Sequence, residues 1–184
     1  MSTFYNVLSK LAKKYLMPDY LEGLKRRGLV VGNNLKLLPE ARIDWSHCWH
    51  IRIGNDVTIA PRVHILAHDA STKTHLGYTR IGKVKIGDRV FIGASSIILP
   101  GVTIGNDVII GAGSIVTKNI PDGVVAAGNP CRVLCGLEEF LNRRKSEMHA
   151  VPVFDETYTL AKNVDDEKKA EMNRKMKDDI GYVC

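Results

Sequence analysis

The chain has no apolar run approaching the roughly 18 residues that a bilayer-spanning helix needs, which excludes an integral membrane protein of the helical kind. It has only four cysteines, Cys48, Cys131, Cys135 and Cys184, and no CxxC pair among them. Cys131 and Cys135 are separated by three residues with no histidine beside them, so neither a zinc ribbon nor a dithiol redox motif is present. The thiols suit a reducing cytoplasm. The opening stretch, MSTFYNVLSKLAKKYLM, interleaves lysines with apolar residues and lacks a small-residue cleavage site, so it does not read as a signal peptide. Acidic residues are in deficit: 20 against 26 Lys and Arg, for a net charge of +6. Such a surface favours an anionic partner. The basic residues are spread along the chain with no recognition motif, so a phosphorylated small molecule is the more economical anion and nucleic acid is not expected.

What is there is a repeat of six. From Val84 to Pro121 the chain reads VKIGDR VFIGAS SIILPG VTIGND VIIGAG SIVTKN IP. An aliphatic residue recurs at Ile86, Ile92, Ile98, Ile104, Ile110 and Val116, and a small or β-branched residue stands two places before each. A hexad is too short for a helix and lacks the strict alternation of a long strand. A short extended face followed by a Gly- or Asn-containing corner satisfies both limits, and the aliphatics of successive turns then stack into one core. Burying each Ile or Val contributes roughly 1.5–3 kcal/mol before conformational entropy is charged against it. Parallel crossovers are normally right-handed, so the hand of the coil does not follow from the pattern alone.

Hexads begin imperfectly at Val31 (VGNNLK, LLPEAR, IDWSHC) and run cleanly from Ile53 through Ile59 and Ile65. The step from Ile65 to Ile86 is not a multiple of six. The segment 67–80, AHDASTKTHLGYTR, therefore leaves the coil as a polar loop. Before the repeat, residues 4–16 have helical spacing, Pro18 ends that helix, and a second short one runs from Tyr20 to Arg27. Residues 1–30 accordingly read as a helical cap on the end of a solenoid. A basic amphipathic helix at a membrane surface is the other use of such a pattern. Residues 31–135 form the coil. Residues 136–184 form a charged, largely helical extension, its last helix a solvated face or a subunit contact.

The hexads, together with the closing VTKNIPDGVVAAGNPCRVL, closely resemble the hexapeptide-repeat acyltransferases, and among them the galactoside, maltose and polysaccharide O-acetyltransferases. The resemblance spans about residues 31–135. It implies a mainly β fold, a left-handed parallel β-helix with three hexads per triangular turn, here with N-terminal and C-terminal helical extensions. It implies a homotrimer with active sites between subunits, acetyl-CoA as acyl donor, no metal, and a saccharide or other small-molecule acceptor. Residues 1–30 do not match the N-terminal domain of the maltose enzymes.

Acyl transfer from a thioester to a hydroxyl needs a base for the acceptor proton and donors for the developing oxyanion. Imidazole, with an unperturbed pKa near 6.5, suits the first role. His68 begins the excursion in ILAHDAS, and the family's catalytic histidine occupies the corresponding position, so His68 is the candidate general base for direct transfer without an acyl-enzyme. Backbone N–H groups of an adjacent coil are the expected oxyanion donors. His64, four residues upstream, either helps orient His68 or lines the acceptor pocket, or else is a corner histidine facing solvent; His75 sits in the loop. Asp44 and His47, in the irregular IDWSHCW with Ser46 and two tryptophans, are candidate acceptor ligands; Trp45 and Trp49 are acceptor, core or interface residues. The resemblance places the pantetheine arm of acetyl-CoA along Ala94 and Ala112, and its anionic groups near Thr117, Lys118 and Arg132. Phe91 stands where Trp is frequent, and Cys135 where the galactoside enzymes carry a second Arg. Two other readings compete. A γ-carbonic-anhydrase-like zinc protein would use His64 and His68, although that family spaces the pair by five and lacks this closing coil. A non-catalytic β-helix scaffold would bind no acetyl-CoA.

Overall fold

The hexads wind into a parallel β-helix of three sheets in the computed structural model, which describes residues 20–177 and 179–184. The helical pattern read over residues 4–16 lies outside the described residues. The chain divides into two units, Met1–Leu137 and Glu138–Cys184.

In the first unit, face one carries Val30–Val31, Ile51–Ile53, Val84–Ile86 and Thr103–Ile104. Face two carries Lys36–Leu37, Thr58–Ile59, Phe91–Ile92, Ile109–Ile110 and Val124–Ala127. Face three carries Arg42–Ile43, His64–Ile65, Ile97–Ile98 and Ile115–Val116. Within each coil-to-coil pairing the aliphatic of one hexad sits over that of the next: Ile86 pairs with Ile104, Ile92 with Ile110, and Ile98 with Val116. A repeat of three hexads thus brings each residue above its equivalent, which is why the six-residue period is also a structural period. The inward column is buried almost completely, with Ile59, Ile65, Ile92, Ile98, Ile110 and Val116 all at 0% exposure. The residue two places earlier is buried too, at the corner; where it is Ser96 or Ser114 its hydroxyl donates to the Gly111 carbonyl.

Corners between faces one and two are tied by side chains. Asn55, Asp88, Asn106 and Asp122 each accept, through Oδ1, a hydrogen bond from the backbone N–H one coil away, at 2.7–2.9 Å. A residue with positive φ follows in each of the first three corners: Asp56, Arg89 and Asp107. Asx side chains favour the first feature by bonding nearby backbone, and at Asp56 and Asp107, though not at Arg89, they also tolerate the left-handed region.

Both ends of the coil are closed. At the start, residues 20–26 are helical. The Tyr20 hydroxyl accepts from the Ile43 N–H at 2.8 Å and donates to the Ile43 carbonyl at 2.9 Å, satisfying an edge that has no further coil beneath it. At the other end the antiparallel strand Arg132–Gly136 covers Val124–Ala127. Residues 67–80 hold more structure than the polar pattern suggests. His68–Asp69 pairs antiparallel with Arg80–Ile81, and a short helix, Lys73–Leu76, forms the tip.

The second unit contains nearly all of the helix Leu137–Met148, a second helix Asp166–Met176, and a two-stranded parallel sheet of Val153–Phe154 with Tyr182–Val183. Asp165 caps the second helix by accepting from the Lys168 N–H. Among the described residues no helix is long and apolar enough to cross a membrane, and no disulfide links the four cysteines.

Candidate active site

The Asx corners measure how far the chain travels per coil. Asp88 and Asn106, bonded across one clean coil of three hexads, show the regular advance. Asn33 reaches Asn55 by a longer path, and Asn55 reaches Asp88 by a much longer one. Both excesses fall at the same corner, between faces three and one, on adjacent coils. The first holds DWSHCWH, the second the hairpin that starts at His68. Two interruptions far apart in sequence are therefore stacked one on the other.

The contact between them is Asp44 with His68. Asp44 Oδ2 lies 2.5 Å from His68 Nδ1 and accepts from the Ala67 N–H at 2.9 Å. Oδ1 accepts from the Ser46 N–H, the Ser46 hydroxyl and the His47 N–H, each at 3.0 Å. Burial works to raise the pKa of this carboxyl, since its side chain is only 1% exposed. The hydrogen bonds from His68, Ala67, Ser46 and His47 outweigh that and hold it at about 2. An ionised carboxylate can only accept, so the proton between the two groups belongs to His68 Nδ1. In the neutral ring the lone pair is then on Nε2, which is the form a general base requires.

The sequence pattern suggests an acceptor ligand at Asp44. Asp44 lines a cleft beside His68, and its carboxylate, 1% exposed, takes five hydrogen bonds from the chain itself. No local pattern signals this, because the partner histidine belongs to the next coil. His47 is half-buried beside the site: its Nδ1 lies 3.0 Å from the Ser46 hydroxyl and its ring centroid 4.8 Å from that of His68. His68, with a side chain 32% exposed, lines two clefts. One, of about 480 Å³, is bounded by Tyr20, Arg42, Trp45, Ser46 and Leu66; the other, of about 370 Å³, by Leu66, Asp69, Ala70, Arg80, Leu99 and Pro100. Sequence reasoning missed Tyr20, Arg42 and Arg80 as site residues. Arg42 had a weak signal, since it precedes the inward Ile43 and must therefore face out.

The remaining candidates separate into groups. His64 points outward from face three between Arg42 and Ile97 and does not join the Asp44–His68 pair. His75 is exposed in the short helix at the hairpin tip. Thr117 and Lys118 are exposed just past Ile115–Val116, on the edge of face three that also carries Leu99 and the hairpin. Ala94 and Ala112 occupy the other edge of that face, before its strands begin, where the Gly113 N–H donates to the Ala94 carbonyl at 2.8 Å. Arg132 is exposed at the start of the closing antiparallel strand. Asp44, His47 and His68 have ligand-type atoms within 4.8 Å of one another, the set that a cation would find. The Asp44 oxygens in that set are already engaged by the chain's own donors, His68 Nδ1 among them. Among the described residues, His64 is not part of this cluster.

Residues 83–118 match the model of the family described as hexapeptide repeat of succinyl-transferase. Over 136 residues the chain is 43% identical to protein CapG of Staphylococcus aureus, covering 71% of this chain and 77% of that protein. The chain belongs to the hexapeptide-repeat acyltransferases. Within the hexapeptide-repeat acyltransferases it is also 47% identical over 90 residues to the galactoside O-acetyltransferase of Escherichia coli, covering 46% of this chain and 43% of that one. It thus spans less than half the length of that enzyme. Among solved structures, a hexapeptide-repeat acetyltransferase of Vibrio cholerae in complex with acetyl coenzyme A superposes with a TM-score of 0.53 at 26% identity, covering 58% of this chain and 59% of that one.

Proposed function

We propose that the protein is an acetyl-CoA-dependent O-acetyltransferase that acetylates a hydroxyl of a sugar or polysaccharide precursor, with His68 as general base. The observation that carries the reading is the Asp44–His68 pair: a buried, ionised carboxylate fixes Nδ1 as the protonated nitrogen of a ring that lines two clefts. Galactoside O-acetyltransferases among the relatives, and the neighbour crystallised with acetyl coenzyme A, support the donor and the acceptor class.

In this mechanism His68 Nε2 takes the proton of the acceptor hydroxyl while Asp44 stabilises the imidazolium that forms. The alkoxide attacks the thioester carbonyl, the tetrahedral intermediate collapses, and CoA thiolate leaves and regains a proton from His68. Asp44 touches neither substrate and is a positioning residue. Thr117 and Lys118, on the His68 edge, and Arg132 take the donor's polar and anionic groups. Ala94 and Ala112 lie on the opposite edge, so the donor arm needs a cleft that one chain does not supply. A homotrimer, in which that edge of one copy faces His68 of the next, supplies it. The reading places the enzyme in the cytoplasm, with its acyl-CoA donor.

The test is CoA release from acetyl-CoA across a panel of sugar acceptors, with His68→Ala as the blank. Turnover is expected with at least one hydroxylated sugar and to fall by about 10²–10⁴-fold in the variant. A His68→Ala protein with wild-type turnover sinks the assignment.

A further inference from the structure

Face one carries a cluster that the acetyl-transfer reading does not use. Arg52 and Lys85 are directly opposite one another in adjacent strands, and both point outward because Ile53 and Ile86 point in. With Lys83, Trp49 and His50 they line a concavity of about 160 Å³. No acidic residue lines it, and Arg52, Lys83 and Lys85 take part in none of the ion pairs found among the described residues. Like charges directly opposite across a ladder destabilise it. Here nothing lining the concavity offsets that cost, and a bound anion would.

The cluster is continuous with the catalytic histidine. From His68 the ring of His47 is 4.8 Å away, that of Trp49 a further 5.3 Å, and that of His50 5.6 Å beyond Trp49. Trp49, half exposed, and His50 belong both to this strip and to the cationic concavity. An aromatic strip beside a reactive base suits the apolar faces of sugar rings, and a cationic pocket at its far end suits a charge carried by the same molecule.

Resting on the acetyl-transfer reading of His68, we infer that the acceptor is a glycosyl diphosphate, its sugar along the strip and its diphosphate held by Arg52, Lys83 and Lys85. Three cations and an imidazole in so small a space exceed what the single charge of a uronate needs. The guanidinium fork takes two phosphate oxygens at once, and the ammonium groups act as point charges on the remainder. A nucleotide sugar carries that diphosphate between its sugar and a nucleoside, which pyrophosphate lacks. A lipid-linked diphosphate has the same charges without the base.

Binding and turnover separate the parts of this inference. Calorimetric titration of the whole protein with inorganic pyrophosphate and with UDP is expected to show binding of both, weakened at least about tenfold in Arg52→Gln/Lys85→Gln, retained in Lys85→Arg and unchanged in His68→Ala. UDP binding tighter than pyrophosphate assigns the nucleotide source, and equal binding assigns a carrier whose diphosphate alone is read. In turnover, KM for UDP-galactose is expected to rise at least about tenfold in the double variant with kcat kept, while KM for free galactose stays the same. No binding of pyrophosphate or UDP, or binding indifferent to Arg52→Gln/Lys85→Gln in a protein with unchanged melting temperature, overturns the inference. Binding that survives alongside a fully active His68→Ala variant would retain the anion site and overturn its coupling to that base.

Discussion

Replacing Asp44 by asparagine removes the charge of a buried carboxylate that accepts five hydrogen bonds, at nearly constant volume. In the folded protein the carboxyl is held at about 2, against an ordinary value of 3.8. Each unit of difference is worth about 1.4 kcal/mol, so the ionised carboxylate contributes about 2 kcal/mol at neutral pH. The sign follows from the depressed folded value. The contribution is complete above about pH 4, and it is lost as pH falls through about 2. Asparagine also turns an NH₂ toward donors, either the Ser46 and His47 N–H groups or Ala67 and His68, leaving at least one without an acceptor at a cost of about 1–3 kcal/mol. If Nδ2 faces His68, Nδ1 must accept, the proton moves to Nε2, and the base is lost. Asp44→Asn is therefore expected to lower kcat by about 10²–10⁴-fold with KM for acetyl-CoA unchanged. Urea unfolding should show a loss of about 3–5 kcal/mol at pH 7, with the charge-dependent part of the gap to wild type shrinking below pH 4. CoA release and urea titration at pH 7 and pH 3 measure both. A variant with kcat within about threefold of wild type and an unmoved urea midpoint would refute the reasoning about tautomer and charge alike.

Two further substitutions probe the coil. A Cβ at Gly87 would stand 2.6 Å from Asn106 Oδ1 and 2.7 Å from the Gly105 carbonyl carbon, and backbone cannot yield as a side chain can. Gly87→Ala is accordingly expected to cost about 2–3 kcal/mol, read as a lower urea midpoint; a neutral result would mean that adjacent coils separate more readily than their hydrogen bonds imply. Ser114→Ala removes a fully buried hydroxyl that donates to the Gly111 carbonyl at 2.6 Å and accepts from the Gly128 N–H at 3.1 Å. The expected loss is about 1–2 kcal/mol, again by urea titration, and a stabilised variant would show these corner bonds to be dispensable.

His68 was singled out in the sequence because it opens the long break in a regular pattern, a local feature, and because the family's catalytic histidine occupies the corresponding position. The partner of His68 was not. Asp44 sits in an irregular hexad beside two tryptophans, which suits a sugar ligand equally well, and only following the chain around each coil shows where it lands. The same limit hid Tyr20 and Arg80 in the clefts around His68. His64, four residues from His68 and attractive on that ground, faces outward because its neighbour Ile65 must face in. Residues 67–80 lacked periodicity, yet they form a hairpin with a helical tip; its strands are two residues each, too short for alternation to appear.

The sequence by itself determined the six-residue period, the inward aliphatic column and the corners, because each depends on neighbours a few positions apart and repeats until chance is excluded. It also carried the family, through the closing coil. Tertiary structure alone decided that the two interruptions share one corner on adjacent coils, since two overlong turns must both be folded back onto the frame of the clean coil before Asp44 meets His68. The same stacking sets Arg52 opposite Lys85, on the far side of the second interruption. Charges and acids that chemistry needs within a few ångströms are brought together by the register of the core, and that register is a property of the whole coil.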